Sequence, residues 1–449
     1  MVHERKQEVF SREIIRPSSP TPDRKRIHKL SFFDQLSPPI YLPLLYFYPN
    51  QDPLTPFASK TQLLKTSLSS ALSKYYPLAG RIRDSFTVDC NDEGAVFLEA
   101  RMNSKLAEIL EDSPVDETLK LCFPDGLCYQ NSNLSSPLTV QVTGFDCGGM
   151  ALAVCLSHTI IDVSGMCSFI NYWAALASSS AYGVPPLLLE FNLAELYPPV
   201  DLPVTKTFDP VIVRCVSRRF VFDGSNIGKL KGIVAAGNVE NPTRMEVVLA
   251  ILHCSAISAI RDVGCGSPIA ERECVLETEL HSAVNLRSRV VPPVPASSVG
   301  NMASTFAVFT PKGVETDLVS FAGMIREAKV ENFRSCAARS RGEELCTFVV
   351  ETTKGFRGEQ GSEGSGSRRH VFGCSSWCGF PFYEADFGWG KPVWVTHTFA
   401  GAKDIITMMD TRNGDGIEVT VCLEGGVMAA FETDEKLLSF CTINPGVIW

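Results

Sequence analysis

Five residues, Asp386-Phe387-Gly388-Trp389-Gly390, constrain this chain more than any other stretch. Glycine loses more freedom on folding than other residues, so two in five positions mark a backbone that turns or approaches its neighbours closely. Phe387 and Trp389 alternate with them, and aromatic side chains of that size need a core to enter. A tight loop pinned by aromatics is expected here, and Lys391-Pro392 closes it. Far upstream stands His158-Thr159-Ile160-Ile161-Asp162. A histidine and an aspartate four apart carry little weight alone in a chain with seven histidines. Their meaning depends on where the fold puts them.

At 449 residues the chain exceeds one ordinary domain, and two units of about 200 residues each are expected. Its 45% hydrophobic and 20% charged residues are those of a soluble globular protein with a sizeable core. A net charge of -9 argues against nucleic acid or an anionic membrane as partner, since both favour a basic surface. It leaves room for a local basic patch. Met1 to Arg16 is charged and lacks the apolar centre of a signal peptide. No run of about 18 apolar residues offers a membrane span. A cytoplasmic protein is expected. Its sixteen cysteines, scattered without metal-type pairing, then read as reduced and mostly buried thiols. The sequon Asn133-Leu134-Ser135 goes unused in that compartment.

Residues 8–16 alternate weakly, as a first strand does. The prolines from Pro17 to Pro22 then forbid helix and central strand. Lys60 to Tyr75 predicts an amphipathic helix with Leu63, Leu64, Leu68, Ala71, Leu72 and Tyr75 on one face. Leu138 to Phe145 and Met150 to Leu156 read as strands joined by the turn Asp146-Cys147-Gly148-Gly149. His158 then stands just past a buried strand, where a sheet can aim it into a cleft. Asp162 to Ser178 returns to helical spacing, with Met166, Phe169, Ile170 and Trp173 on one side. Prolines and mixed residues over 184–210 read as a crossover. It separates an N-terminal unit, 1–183, carrying His158, from a C-terminal unit, 211–449, carrying Asp386. The second unit opens on a strand near Val213 to Phe222. A helix follows from about Pro242, where Thr243 and Glu246 form a capping box. Lys354 to Arg369, rich in glycine, serine and charge, reads as a flexible surface loop.

An imidazole with a pKa near 6.5 can take the proton of a hydroxyl as that oxygen attacks a carbonyl. A thioester suits the attack, because a thiol with a pKa of about 8.5 leaves easily as thiolate. His158 as a single general base then suffices without a covalent acyl-enzyme. The plain alternative is a core histidine bonded to a backbone carbonyl. Asp162 is placed as the N-cap of the next helix or as an ion-pair partner, not as a proton relay. His158 and Asp162 offer a metal only two ligands, with no third nearby. Cys155 and Ser157 flank the histidine and open a second mechanism, ping-pong transfer or hydrolysis. No G-x-S-x-G elbow supports it, and Cys155 falls on the alternation of a packed strand. A non-catalytic binding protein of the same fold is the third reading.

The two motifs, in this order and at this separation, resemble those of the plant BAHD acyltransferases, which move an acyl group from coenzyme A to an alcohol or amine. The likeness covers nearly the whole chain. Asp34-Gln35-Leu36, Phe47-Tyr48-Pro49-Asn50, Tyr76-Pro77-Leu78-Ala79-Gly80-Arg81, Val299-Gly300-Asn301 and Met409-Asp410-Thr411-Arg412 all match family segments. Within the family the set is most similar to a clade that acetylates alkaloid alcohols, with relatives acting on terpenoid or volatile alcohols. The resemblance implies an α/β fold of mixed sheets, in two similar chloramphenicol-acetyltransferase-like domains with an interdomain channel and the histidine at its centre. It implies no permanently bound cofactor, acetyl-CoA or another acyl-CoA as co-substrate, a small-molecule alcohol acceptor and a monomer.

For the site, the resemblance implies His158 as catalytic base and Asp386 as the second residue that activity requires. Asp162 pairs with an arginine in the family and holds its loop. Asp386 matches an aspartate that pairs with the arginine of an Asn/Asp-x-Arg element, here Asn285-Leu286-Arg287, so an Asp386–Arg287 ion pair is expected. Gly388 and Gly390 supply the turns of that loop. The family's Thr-Ser-Trp segment corresponds to Ser375-Ser376-Trp377, with Ser375 keeping the hydroxyl. Ser375 and Trp377 thereby become the candidates for stabilising an oxyanion. Thr159 and Ile161 replace the Lys or Val and the Ala often found inside the first motif, and Val163 stands where glycine is common. Those changes bear on the acceptor pocket. Glu424-Gly425-Gly426-Val427-Met428 lacks an acidic pair common in that region.

Overall fold

The computed structural model describes residues 6–111, 116–126, 132–178, 188–201, 215–264, 277–311, 317–339, 342–354, 369–398 and 403–449. Its first sheet is six-stranded, in the order Gln7–Ile15, Ala95–Met102, Leu138–Phe145, Met150–Ser157, Tyr41–Tyr48, Trp394–Thr396. Tyr41–Tyr48 and Met150–Ser157 are buried at every position, which is why they read as apolar runs and not as alternations. Successive side chains still leave on opposite faces. Leu42, Leu44, Tyr46 and Tyr48 enter one core, while Tyr41, Leu45 and Phe47 enter another. The helices Phe57–Leu72 and Val163–Ser178 cover the first of these faces.

A second, seven-stranded sheet runs Ala303–Thr310, Glu277–Asn285, Arg369–Ser376, Ile405–Asp410, Ile417–Glu424, Cys215–Phe222, Thr442–Ile443. Its core includes apolar residues of the helices Gly224–Ala236, Leu318–Ala338 and Gly425–Phe431. The helix Arg244–Gly264 begins where the capping box predicts: Glu246 N donates to Thr243 Oγ1 at 3.3 Å, and Thr243 N to a Glu246 carboxylate oxygen at 2.9 Å. A small sheet of Ile27–Lys29, Thr87–Asp89 and Arg81–Ile82 completes the described strands.

Three expectations need correction. The helix expected over Lys60 to Tyr75 is Phe57–Leu72, and Tyr75 stands outside it, ahead of the 3-10 turn Tyr76–Ala79. Leu63 is 39% exposed, while Lys60 and Lys65 are buried. Partners explain the exchange. Lys60 Nζ donates to Asn50 Oδ1 at 3.1 Å, and Lys65 Nζ to Glu99 at 2.6 Å, so each ammonium is satisfied where it is covered. The third concerns the segment carrying Asp386. Trp394–Thr396 pairs antiparallel with Tyr41–Tyr48, and Trp377, Phe382, Phe387 and Trp389 join the first sheet's core. A division that assigns 211–449 wholly to a second unit does not follow the packing. Aromatic contacts give the reason: Phe387 meets Trp173 edge-on at 5.0 Å, and Trp394 stacks on Phe47 at 5.3 Å.

Part of the 184–210 crossover is ordered against the second half, with Glu190 bridged to Ser298 and a short helix at Leu193–Leu196. Residues 184–187 and 202–210 of it, and residues 355–368 of the loop read over Lys354 to Arg369, lie outside the described residues. Among the described residues no helix is long and apolar enough to cross a membrane.

Candidate active site

Strand Met150–Ser157 delivers His158 to the sheet's end, where His158 N donates to Ile40 O at 2.9 Å. The residue is half-buried. Burial drives its imidazole below the ordinary pKa, against smaller opposing pulls from its own and Ile161's backbone, the Asp162 carboxylate and the Asn301 side chain. The ring is therefore neutral at pH 7 and able to accept a proton. Its flanking nucleophiles are not so placed. Cys155 packs in the core on the sheet's other face, and Ser157 is buried and hydrogen-bonded to Ser132 at 2.9 Å.

Asp162 caps the helix Val163–Ser178: its Oδ1 accepts from Gly165 N at 2.9 Å, and its backbone oxygen from Met166 N at 2.8 Å. Gly165 stays a glycine because a Cβ there would sit 2.5 Å from Ile161 Cγ1. The other oxygen of Asp162 faces the second half. Arg287 Nη1 donates to it at 2.6 Å, and Met302 N at 3.3 Å. Arg287 spends its remaining donors on Gly300 O at 2.9 Å and Ser298 O at 3.2 and 3.3 Å.

The expected Asp386–Arg287 pair does not form. Arg287 is already taken up by Asp162 and two carbonyls, and Asp386 closes on its own loop. One carboxylate oxygen of Asp386 accepts from Gly388 N at 2.8 Å and Gly390 N at 2.9 Å. Gly388 and Gly390 have φ of +104° and +97°, which turns their N–H groups inward as a nest for an anion. At Gly390 a Cβ would also meet Gln51 Oε1 at 2.4 Å.

Ser375 and Trp377 come together: the Trp377 indole N–H donates to Ser375 Oγ at 2.9 Å. Trp377 is buried and lies 4.9 Å from the His397 ring. Its N–H is thus engaged, and the Ser375 hydroxyl, having accepted, keeps its own proton to donate elsewhere. Of the two residues expected as oxyanion donors, Ser375 keeps a proton to give, and Trp377 holds its hydroxyl in place. Ser376 is not a third member, for it shares the strand face of Cys374, which enters the second core. Ser375 pairs with Ala283, two residues before Asn285 on the strand that leads to Arg287.

Two residues without an assigned role complete the loop's supports. Asn301 Nδ2 donates to the His158 carbonyl at 2.7 Å and to Asp34 Oδ1 at 2.9 Å. Both belong to segments singled out only for their likeness to the family, Val299-Gly300-Asn301 and Asp34-Gln35-Leu36; the isolated glycine before Asn301 was the one local signal. Gly300 has φ of +133°, and a Cβ there would lie 2.7 Å from Leu193 Cδ1. Among the described residues no group of three or more His, Cys, Asp or Glu could hold a metal ion.

A family model described as the Transferase family matches residues 6–438. The chain is 36% identical over 438 residues to the 17,18-epoxy-17-hydroxycur-19-ene N-malonyltransferase of Strychnos nux-vomica, covering 97% of this chain and 90% of that one. It is 35% identical over 440 residues to stemmadenine O-acetyltransferase of Catharanthus roseus, covering 95% and 96%. The crystal structure of vinorine synthase is similar throughout, with a TM-score of 0.80 at 32% identity over 97% of this chain and 98% of that one.

Proposed function

Since the chain belongs to this transferase family, the BAHD acyltransferases, and is an enzyme with acyl-CoA as co-substrate, we propose that it carries acetyl from acetyl-CoA to the hydroxyl of a bulky alkaloid or terpenoid alcohol. His158 takes the hydroxyl proton as the oxygen attacks the thioester carbonyl. The Ser375 hydroxyl donates to the oxyanion that forms, with Trp377 behind it. Collapse expels the CoA thiolate, and the imidazolium of His158 returns the proton to that sulfur. No acyl-enzyme forms. The two substrates meet in a channel between the halves, and the enzyme works as a cytoplasmic monomer.

The observation that carries this reading is a neutral, half-buried His158 clamped at a strand end, with Asp162 directed away into an arginine. Stemmadenine O-acetyltransferase supports the acetyl donor and the oxygen acceptor by its name. The N-malonyltransferase favours a second reading, another acyl-CoA and an amine acceptor. Incubating the enzyme with acetyl-, malonyl- and benzoyl-CoA and a panel of plant alcohols and amines, read by mass spectrometry, separates the two. His158→Ala should abolish transfer with the fold intact, and near-wild-type turnover by that variant would reject the assignment.

A further inference from the structure

We propose that Asp34 is a positioning residue for the transfer reaction: it fixes the Asn301 amide in the orientation that grips the His158 carbonyl, and so sets the aim of the His158 ring from inside the fold. This rests on the reading of His158 as base. Asp34 lies in the first turn of the helix Phe32–Leu36 and is buried. Its Oδ2 accepts from Ser31 N at 2.8 Å and Ser31 Oγ at 2.7 Å. Its Oδ1 accepts from Asn301 N at 2.7 Å and Asn301 Nδ2 at 2.9 Å. The amide of Asn301 thus has one satisfactory orientation. Flipped, its oxygen would face both the Asp34 carboxylate and the His158 carbonyl, acceptor against acceptor. With the amino group inward, one N–H reaches Asp34 and the other reaches His158 O at 2.7 Å.

The consequence falls on His158. Its N–H is held by Ile40 O from one side and its carbonyl by Asn301 from the other. Both peptide groups flanking the Cα are therefore fixed, and the direction of the side chain with them. Geometry of this kind is costly to lose, since a misplacement of about 1 Å can reduce turnover about 100-fold. The choice of a carboxylate also calls for a reason. Burial raises the Asp34 pKa to about 6, so the charged form is kept at neutral pH at a cost that its Ser31 and Asn301 donors only partly offset. An asparagine at 34 keeps one oxygen but sets its amino group against either the Ser31 or the Asn301 donors, and a neutral amide oxygen holds Asn301 more weakly than the carboxylate does.

Asp34→Asn should therefore lower kcat by about 10- to 100-fold while KM for acetyl-CoA stays within about threefold. Ser31→Ala serves as the control, because it removes the helix cap and a donor on the other carboxylate oxygen but leaves the Asn301 contact. It should lower the melting temperature yet keep kcat within about threefold. Should Asp34→Asn fail to fold, Asn301→Ala carries the same test. A folded Asp34→Asn with wild-type kcat overturns the proposal, and so does a Ser31→Ala that loses kcat as severely. His158→Ala, run in parallel, separates the two ideas: turnover by that variant removes the base itself, whereas an inactive His158→Ala beside an unaffected Asp34→Asn removes only the positioning role.

Discussion

Arg287 Nη1 lies 2.6 Å from Asp162 Oδ2, and both side chains are nearly closed to solvent. The pair joins the loop after His158 to the segment Asn285–Met302 of the second half, and Met302 N reinforces it. Breaking a buried pair by removing one partner strands the other charge, at a cost of roughly 3–5 kcal/mol. Arg287→Ala should lose stability on that scale. Arg287→Lys should recover only part of it, because a lysine cannot span Asp162 and the carbonyls of Ser298 and Gly300 with one planar fork. Urea denaturation of both variants checks this, and a loss under about 1 kcal/mol for Arg287→Ala would show the pair to be dispensable.

Asp386 binds its own loop, so its substitution should act through that loop. Asp386→Ala leaves two glycine N–H groups without their acceptor and should cost roughly 1–3 kcal/mol. Asp386→Asn keeps an oxygen for the nest. It should retain kcat within about threefold once the rate is normalised to folded enzyme. A fully folded but inactive Asp386→Asn would place this carboxylate in the chemistry after all.

The sequence was most legible where the cause is local. The hairpin ending at His158, the cap of Asp162 on Val163–Ser178 and the capping box at Thr243 all rest on contacts a few residues apart. The partner of Arg287 was not legible, because two aspartates far away in the chain carry equal chemistry and only the fold decides between them. That Gly388 and Gly390 turn their N–H groups onto Asp386 depends on the sign of φ, which glycine leaves open. The burial of Lys60 and Lys65 is illegible for a related reason: helical spacing does not reveal the carbonyl or carboxylate that meets each ammonium. The roles of Asn301 and Asp34 are not legible, because each is an ordinary polar residue whose importance lies in the other and in His158.

Activity should persist into mildly acidic solution. Burial lowers the pKa of His158, so the neutral base survives to a lower pH than a free imidazole would. The acid limb of the kcat/KM profile should then have its midpoint below about 6.5, the ordinary histidine value. A midpoint at or above that value, with the protein still folded, would mean that His158 is not the group being titrated.

Stability should decline over much the same acid range, for reasons seated elsewhere in the fold. His253, stacked 4.4 Å from Phe321, and His397, packed on Trp377, are buried, and burial pulls both pKa values down to about 3. Each must stay neutral to fold but gains a proton when unfolded below about pH 6.5, so each removes about 1.4 kcal/mol per pH unit as the pH falls. Asp34 acts with the opposite sign. Its folded pKa is raised to about 6 from 3.8, so between those values the folded state holds the extra proton and gains stability on acidification. His28, lowered by burial to about 4, adds to these losses, so they outnumber the single gain and stability should decline on acidification between about pH 6 and 4. Asp34→Asn deletes the opposing contribution and should steepen the decline by about 1.4 kcal/mol per pH unit. Urea unfolding at a series of pH values measures both slopes, and a wild-type stability that is flat or rising on acidification through this window would contradict the neutral burial of His253 and His397.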